Sequence, residues 1–327
     1  MSTWRRFISL VSVLAIMFMI SAPALQAQDS QGGSGLIISP TRSELEILSG
    51  GTSIIRLSLK NVSGTDITAK AEVNDFESNN ATGEPRILTG PPTSGVSIRP
   101  FLGGVNDIEL AKDEKKDFEI SVAVAENAAA GAYYGVLRYS AIPKNKTETN
   151  QDGSQVALTA SVGLLILLTV PGDIQEQIQI NSIKVLRDTS GGTFFFNSPN
   201  KVNIDIKNNG NGFSKPFGQV YVTNSRGASV FSYELNDTDP KSNILPKSSR
   251  TFTNAIENIK SPGRYTVTAN ISHGSGGEVL TYRTSFWFVP TWLAVAFLVL
   301  LLVVVLVVTT LYKKRFSSKR AKSSRRR

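Results

Sequence analysis

The chain has 327 residues, with 35 Lys and Arg against 26 Asp and Glu, one histidine, no cysteine and a formal charge of +9. Without cysteine there is no disulfide framework, thiolate metal site or thiol nucleophile, and a single imidazole cannot build a histidine-rich zinc cage. Where the excess positive charge lies therefore says more about function than its size.

Trp4, Arg5 and Arg6 make a short basic start, followed by the apolar run Phe7 to Ile20 and by small residues at Ala22-Pro23-Ala24 and Leu25-Gln26-Ala27. This is the layout of a signal peptide over residues 1–27, cut near Ala24 or Ala27. The alternative is an uncleaved N-terminal anchor, for which the core is short. Gly32-Gly33-Ser34-Gly35 precedes no helix, so 28–35 reads as a flexible leader and not as a phosphate loop.

Strands are expected throughout the exported part. Ser53, Ile55, Leu57 and Leu59 alternate with Ile54, Arg56, Ser58 and Lys60, and Ile67, Ala69, Ala71 and Val73 with Thr68, Lys70, Glu72 and Asn74. Period two is the mark of a sheet with one wet face. The turn chemistry of Asn61 to Asp66 between them predicts a hairpin. Glu77 to Gly95, rich in Asn, Gly, Pro and Thr, predicts a long surface loop. Phe118, Ile120, Val122 and Val124 resume the alternation after the charged turn Lys112 to Lys116, and Tyr133 to Ile142 follows. After the polar stretch Pro143 to Gln155, the apolar run Val156 to Val170 is too short for a membrane span and reads as a buried strand.

From Ile174 the punctuation of the first half returns in the same order. Asn61 with Ser63-Gly64 corresponds to Asn208-Asn209-Gly210. Leu110, a polar turn and Phe118 correspond to Leu245, Pro246 to Arg250 and Phe252. Gly131-Ala132-Tyr133-Tyr134 corresponds to Gly263-Arg264-Tyr265-Thr266. This predicts an all-β architecture of two tandem immunoglobulin-like β-sandwiches, over 36–172 and 173–288. About 260 residues without disulfides is enough for two domains that each bury a core.

Thr284 to Tyr312 carries no charged residue, and Trp292 to Leu311 is almost wholly Leu, Val, Ala and Phe. At ~1.5 Å rise per residue, Pro290 to Leu311 gives ~33 Å, which matches the hydrocarbon thickness of a bilayer. A transmembrane helix is expected over 290–312, with Trp287, Trp292 and Tyr312 as membrane-interface aromatics. The basic tail 313–327 follows. Lys313, Lys314, Arg315, Lys319 and Arg320, with Lys322 and Arg325 to Arg327, give nine cations and no acid. By the positive-inside rule the tail is cytoplasmic and meets anionic lipid, and the ectodomain is extracellular. Nine of the 35 Lys and Arg lie in this tail and two in residues 1–27. That leaves 24 against 26 acids, so the exported part is close to neutral and the basic balance is a topology signal, not a nucleic-acid site.

Little else carries chemistry. His273, in Ser272 to Gly277, is expected to be exposed at a hairpin tip. Asp237 and Asp239, with Asn236 and Asn243, offer oxygens to calcium but lack the fixed loop pattern, and read as turn formers. The sequons at Asn61, Asn80, Asn145, Asn236 and Asn270 are discounted, because a cysteine-free ectodomain suits a bacterium. Leu245 to Ser249 lies too far before the helix to act as a wall-sorting signal.

The order of signal peptide, two immunoglobulin-like domains, one spanning helix and basic tail resembles the WxL-interacting proteins of Gram-positive surfaces. The resemblance rests on the Asn61 strand end, Gly131-Ala132-Tyr133-Tyr134-Gly135 and Pro262-Gly263-Arg264-Tyr265. It implies peptidoglycan contact by the first domain and partner binding by the second. The second half is also similar to anchored surface proteins of small-genome bacteria, around Asn209 to Gly212, Lys215-Pro216-Phe217-Gly218 and Phe286 to Pro290.

Two functions are expected from these readings. One is a non-enzymatic, membrane-anchored bacterial surface protein binding cell-wall polymer or protein partners, in adhesion or scaffolding. The other is an accessory or chaperone-like subunit recruiting an envelope enzyme or assembly. The partners are the lipid bilayer and an envelope protein or wall polymer, with no nucleic acid, small-molecule substrate, cofactor or metal.

Overall fold

The computed structural model describes residues 35–90, 95–144, 160–274 and 277–323, with side chains as far as Lys313. The signal segment lies outside these residues, as do residues 145–159 and the end of the tail. The first sandwich contains β1 (Leu36–Ser39), β2 (Arg42–Glu46), β3 (Thr52–Asn61), β4 (Ile67–Ser78), β5 (Pro85–Leu88), β6 (Leu102–Gly103), β7 (Ile108–Leu110), β8 (Lys115–Ala123), β9 (Gly131–Pro143) and β10 (Ser161–Val170). The second contains β11 (Ile178–Arg187), β12 (Ser190–Gly191), β13 (Phe194–Phe195), β14 (Lys201–Asn208), β15 (Phe217–Asn224), β16 (Ser229–Leu235), β17 (Ser249–Ala255), β18 (Gly263–His273) and β19 (Glu278–Phe288).

In the first sandwich the sheet β1-β3-β8-β6 faces β2-β10-β9-β4, with β5 and β7 pairing different lengths of β4. In the second, β12-β11-β14-β17 faces β13-β19-β18-β15-β16. Alternation along each strand turns one row inward, as the period-two reading expects. Leu57, Leu59, Ile120 and Val122 meet Ile67, Leu137, Leu164, Ile166 and Leu168 in one core. Ile204, Ile206 and Phe252 meet Val220, Val222, Val267 and Phe286 in the other. The fold is thus two immunoglobulin-like sandwiches built without disulfides.

Two expectations are corrected. The turn after Asn61 does not close a hairpin, because β3 and β4 lie in opposite sheets. Both strands alternate equally well, and period two says which face is apolar but not whether two apolar faces lie side by side or stack. Glu77 to Gly95 is not simply a loop either. β4 runs to Ser78 and pairs with β5, Glu77 opposite Arg86 and Phe76 opposite Ile87. The tip of this hairpin reaches the second sandwich, where the Thr251 N–H donates to the Asn80 carbonyl at 3.2 Å.

The internal repeat is visible atom by atom. Buried Asn61 accepts from the Ser63 N–H at 2.9 Å and donates to the carbonyls of Thr65 at 2.7 Å and Ala111 at 2.9 Å. Buried Asn208 accepts from the Gly210 N–H at 2.9 Å and donates to Gly212 at 2.8 Å and Ile244 at 3.1 Å. Tyr133 and Tyr265 each follow a glycine in the left-handed region, φ +145° and +150°, and donate to the carbonyl four residues back, Ala129 and Ser261. The match shifts one expected pair. Asn61 also reaches the Leu110 carbonyl at 3.4 Å, so Ile244, not Leu245, occupies the equivalent place.

After Phe288 the chain enters α1 (Thr291–Ser323). Thr291 to Lys313 has a mean hydropathy of 3.2 and none of it is buried in the protein, so among the described residues it is the one helix long and apolar enough to cross a bilayer.

Candidate binding cleft and sheet edge

The two sandwiches meet through the start of β9 and the end of β10 in one and the β14–β15 connection in the other. Phe76 and Leu167 from the first pack with Leu245 from the second, flanked by Tyr134, Leu165 and Phe213. Polar bonds fix the register. The Ala132 N–H donates to the Asn211 carbonyl at 2.9 Å. The Asn211 side chain donates to Ala130 and Asp173 carbonyls at 3.3 and 3.1 Å and accepts from the Gln175 N–H at 2.7 Å. Gly131 leaves the room for this approach, since a Cβ there would sit 3.1 Å from the Asn211 carbonyl oxygen.

Beside the contact opens a cleft of about 570 Å³, walled by β2 and β10 on one side and by Phe213 to Phe217, Lys241 and Asn243 on the other. Its apolar walls are Leu45, Leu167, Phe213 and Phe217. Lys215 bridges it, with Nζ 2.6 Å from Glu44 Oε2, while Arg42 pairs with the same carboxylate. Partial burial pushes the Glu44 carboxyl up, but the bond from Lys215 and the charges of Arg42 and Lys215 outweigh it and hold Glu44 below its ordinary value. Lys241 lies 5.5 Å over the Phe217 ring and donates to the Asn236 carbonyl at 3.2 Å. Asn243 Oδ1 and Ser214 Oγ are buried here without a hydrogen-bond partner among the described residues. Burial, with the nearby charge of Arg42, draws the Arg250 guanidinium below its usual value, though it stays a cation that donates to the Asn243 carbonyl at 3.2 Å.

The same strand that walls the cleft has an open edge at its other end. β2 runs parallel to β10 only from Leu165 to Thr169. The Leu165 N–H donates to Thr41, and the Thr169 carbonyl accepts from Ile47, so the odd-numbered residues of β10 direct their backbone groups outward. Ser161 and Gly163 share that parity. No strand among the described residues pairs with this side of Ser161 to Leu164. β2 itself, the adjoining edge, carries Arg42, Glu44 and Glu46, the charged residues that discourage strand addition. Ser161 to Leu164 carries none.

The residues singled out from sequence are placed as follows. Trp287 lies half-exposed on β19, and Trp292 and Tyr312 are exposed on α1. Lys313 is exposed, while the side chains of Lys314, Arg315, Lys319 and Arg320 lie outside the described residues. Asn236 is buried and spends its amide on the carbonyls of Pro216 and Ser242, so it holds a turn. Asp237 and Asp239 are exposed, and no three His, Cys, Asp or Glu side chains gather among the described residues. His273 corrects the sequence reading. It does sit at the β18–β19 turn, opposite Glu278, but is only 5 % exposed, with Nε2 3.8 Å from the Glu278 carboxylate. It closes the inward row of β18 after Tyr265, Val267, Ala269 and Ile271, and the Glu176 carboxylate approaches the neighbouring Gly274. Of the cleft walls only Asn243 is weighed from sequence, as an oxygen donor to calcium, while Asn209 to Gly212 and Lys215 to Gly218 carry the resemblance to anchored surface proteins.

No family model matches the chain, and no curated protein matches it. Among solved structures it is similar to the class 5 fimbriae chaperone CfaA, at 15 % identity and TM-score 0.38, covering 78 % of this chain and 100 % of that one. It is similar to the Pseudomonas aeruginosa CupB2 chaperone at 12 % identity and TM-score 0.35, over 76 % and 100 % of the two chains. It is similar to the E. coli chaperone DraB at 12 % identity and TM-score 0.33, over 77 % and 96 %. The likeness is one of fold.

Proposed function

We propose that this chain is a single-pass envelope protein whose ectodomain holds an extended segment of a protein partner along the open edge of β10, as an accessory subunit of an envelope assembly. The observation that carries the proposal is the uncharged edge of Ser161 to Leu164, which no strand among the described residues covers, on a strand otherwise paired on both sides. Such an edge recognises peptide backbone by strand addition, while adjacent pockets read the side chains. The cleft at the far end of the same strand supplies apolar walls, both signs of charge and two unsatisfied oxygens, a lining suited to a polypeptide. Wall polymer is the weaker reading, since an open strand edge offers a row of backbone N–H and C=O groups that pairs with another backbone and not with a sugar chain. The apolar helix serves as anchor, and the nine tail cations support a cytoplasmic C-terminus.

A photo-crosslinking residue at Ser161 in the full-length chain tests this in cells. The expected result is a discrete adduct with an envelope protein, lost when Gly163→Pro removes an outward N–H but kept in the surface control Thr238→Pro. Binding of isolated wall with no protein adduct would return the case to the polymer reading.

A further inference from the structure

The last strands of the second sandwich end in an aromatic cluster that neither core uses. β13 lies parallel to β19, Phe194 opposite Trp287 and Phe195 opposite Phe288. The Trp287 N–H donates to the Thr193 carbonyl at 2.7 Å and the Val289 N–H to Phe195 at 2.9 Å. Phe195 turns inward, with its ring 5.8 Å from that of Phe286. Its neighbours turn out. Phe194 and Phe196 are 50 % and 51 % exposed, with their rings edge to face at 5.2 Å, and Trp287 is 50 % exposed. Large apolar rings grouped on a surface mark a contact.

Position identifies the contact. Only Phe288, Val289 and Pro290 separate Trp287 from the first residue of α1, so even a fully extended chain keeps the cluster within ~14 Å of the helix entrance. The headgroup region is ~5–8 Å deep on each side, so the cluster lies within it or close above it. The strand registers bring the turns after β11, β15 and β17 to the same end of the sandwich. From 187 to 201, 224 to 229 and 255 to 264 these turns hold Arg187, Lys201, Arg226, Lys260 and Arg264 against Asp188 and Glu257. Aromatic rings amid a cationic excess suit an interface with anionic headgroups.

We infer that the Phe194–Phe196 loop is a second membrane contact, which inserts its two outward rings among the lipid headgroups of the leaflet that α1 enters and so sets the second sandwich against the bilayer. The inference rests on the reading that α1 spans the membrane, and the test separates the two.

The chain has no cysteine, so a spin label can be placed on single cysteines in the full-length protein, reconstituted in vesicles of mixed neutral and anionic phospholipid. Asn197→Cys reports the loop, Thr238→Cys the opposite end of the sandwich and Val303→Cys the middle of α1. Collision with a water-soluble nickel chelate should be about threefold or more weaker at position 197 than at 238. Phe194→Ser with Phe196→Ser should abolish that difference while leaving position 303 shielded. Equal collision at 197 and 238 with 303 shielded overturns the inference and leaves the anchor standing. An accessible 303 removes the anchor and the inference together. Protection at 197 that disappears when protein is diluted into excess lipid shows a second copy on the patch, and also overturns it.

Discussion

The main-chain N–H of Ala132 donates to the carbonyl of Asn211 at 2.9 Å, joining the start of β9 in one sandwich to the β14–β15 connection of the other. The two stretches that stand out in the sequence as turn punctuation, Gly131 to Tyr134 and Asn209 to Gly212, therefore touch each other. Their side-chain and backbone bonds make the junction a fixed joint, which a site spanning it requires.

Asn211→Ala deletes three side-chain bonds at that joint and leaves the Gln175 N–H and two carbonyls to find other partners. A loss of about 1–3 kcal/mol is expected. Calorimetry should show the unfolding of the two sandwiches moving apart, with the far loops of each unchanged in hydrogen exchange.

Gly131 and Gly263 share a left-handed backbone, but only Gly131 faces a neighbour, the Asn211 carbonyl at 3.1 Å from an added Cβ. Gly263→Ala should lose about 1–3 kcal/mol of stability from backbone strain alone. Gly131→Ala should lose more, and only this variant should become sensitive to protease between the sandwiches. Equal losses would mean that the close approach at the junction contributes nothing.

Asn61→Ala and Asn208→Ala each leave buried backbone groups unpaired, for an expected loss of about 2–3 kcal/mol per site. Because the sites lie in separate cores, the double variant should show additive losses in denaturant unfolding.

The Lys215–Glu44 bridge makes the joint sensitive to acid. Glu44 is held below its ordinary 4.5, so its contribution is complete above that value and fades as pH falls through the lower folded value. With both side chains part-exposed, the effect is ~1 kcal/mol or less. Unfolding followed from pH 6 to pH 3 should show the second sandwich separating from the first earlier in wild type than its neutral stability implies. Glu44→Gln should flatten that dependence.

The sequence was most legible where a residue performs a backbone duty that few others can. Asn61 and Asn208 pair an acceptor and a donor across a strand end, and Gly131 and Gly263 permit a turn into a strand whose tyrosine hydroxyl ties back four residues. Those demands recur wherever the fold recurs, so the tandem sandwich could be read from their order. α1 was equally plain, since so long an uncharged apolar run reads as one helix fit to cross a bilayer. What stayed hidden depended on distant partners. Whether β3 and β4 pair or stack is decided by β8 and β9. His273 is buried because β18 runs on to it and β19 pairs it with Glu278, which keeps it in the inward row of Tyr265, Val267, Ala269 and Ile271. The cleft is made of ordinary surface residues, Glu44, Lys215, Lys241 and Asn243, that acquire meaning only once the two sandwiches are joined. The open edge of β10 is likewise a matter of what β2 fails to cover.

The central claim is an outward-facing pair of sandwiches held by one crossing of the membrane. Its most direct test labels intact cells carrying either Ser229→Cys or Ser318→Cys with a membrane-impermeant maleimide, in a chain that has no other thiol. The account predicts that position 229 reacts on intact cells and position 318 only after permeabilisation. Reaction at both positions on intact cells, or at neither until the membrane is opened, would contradict it.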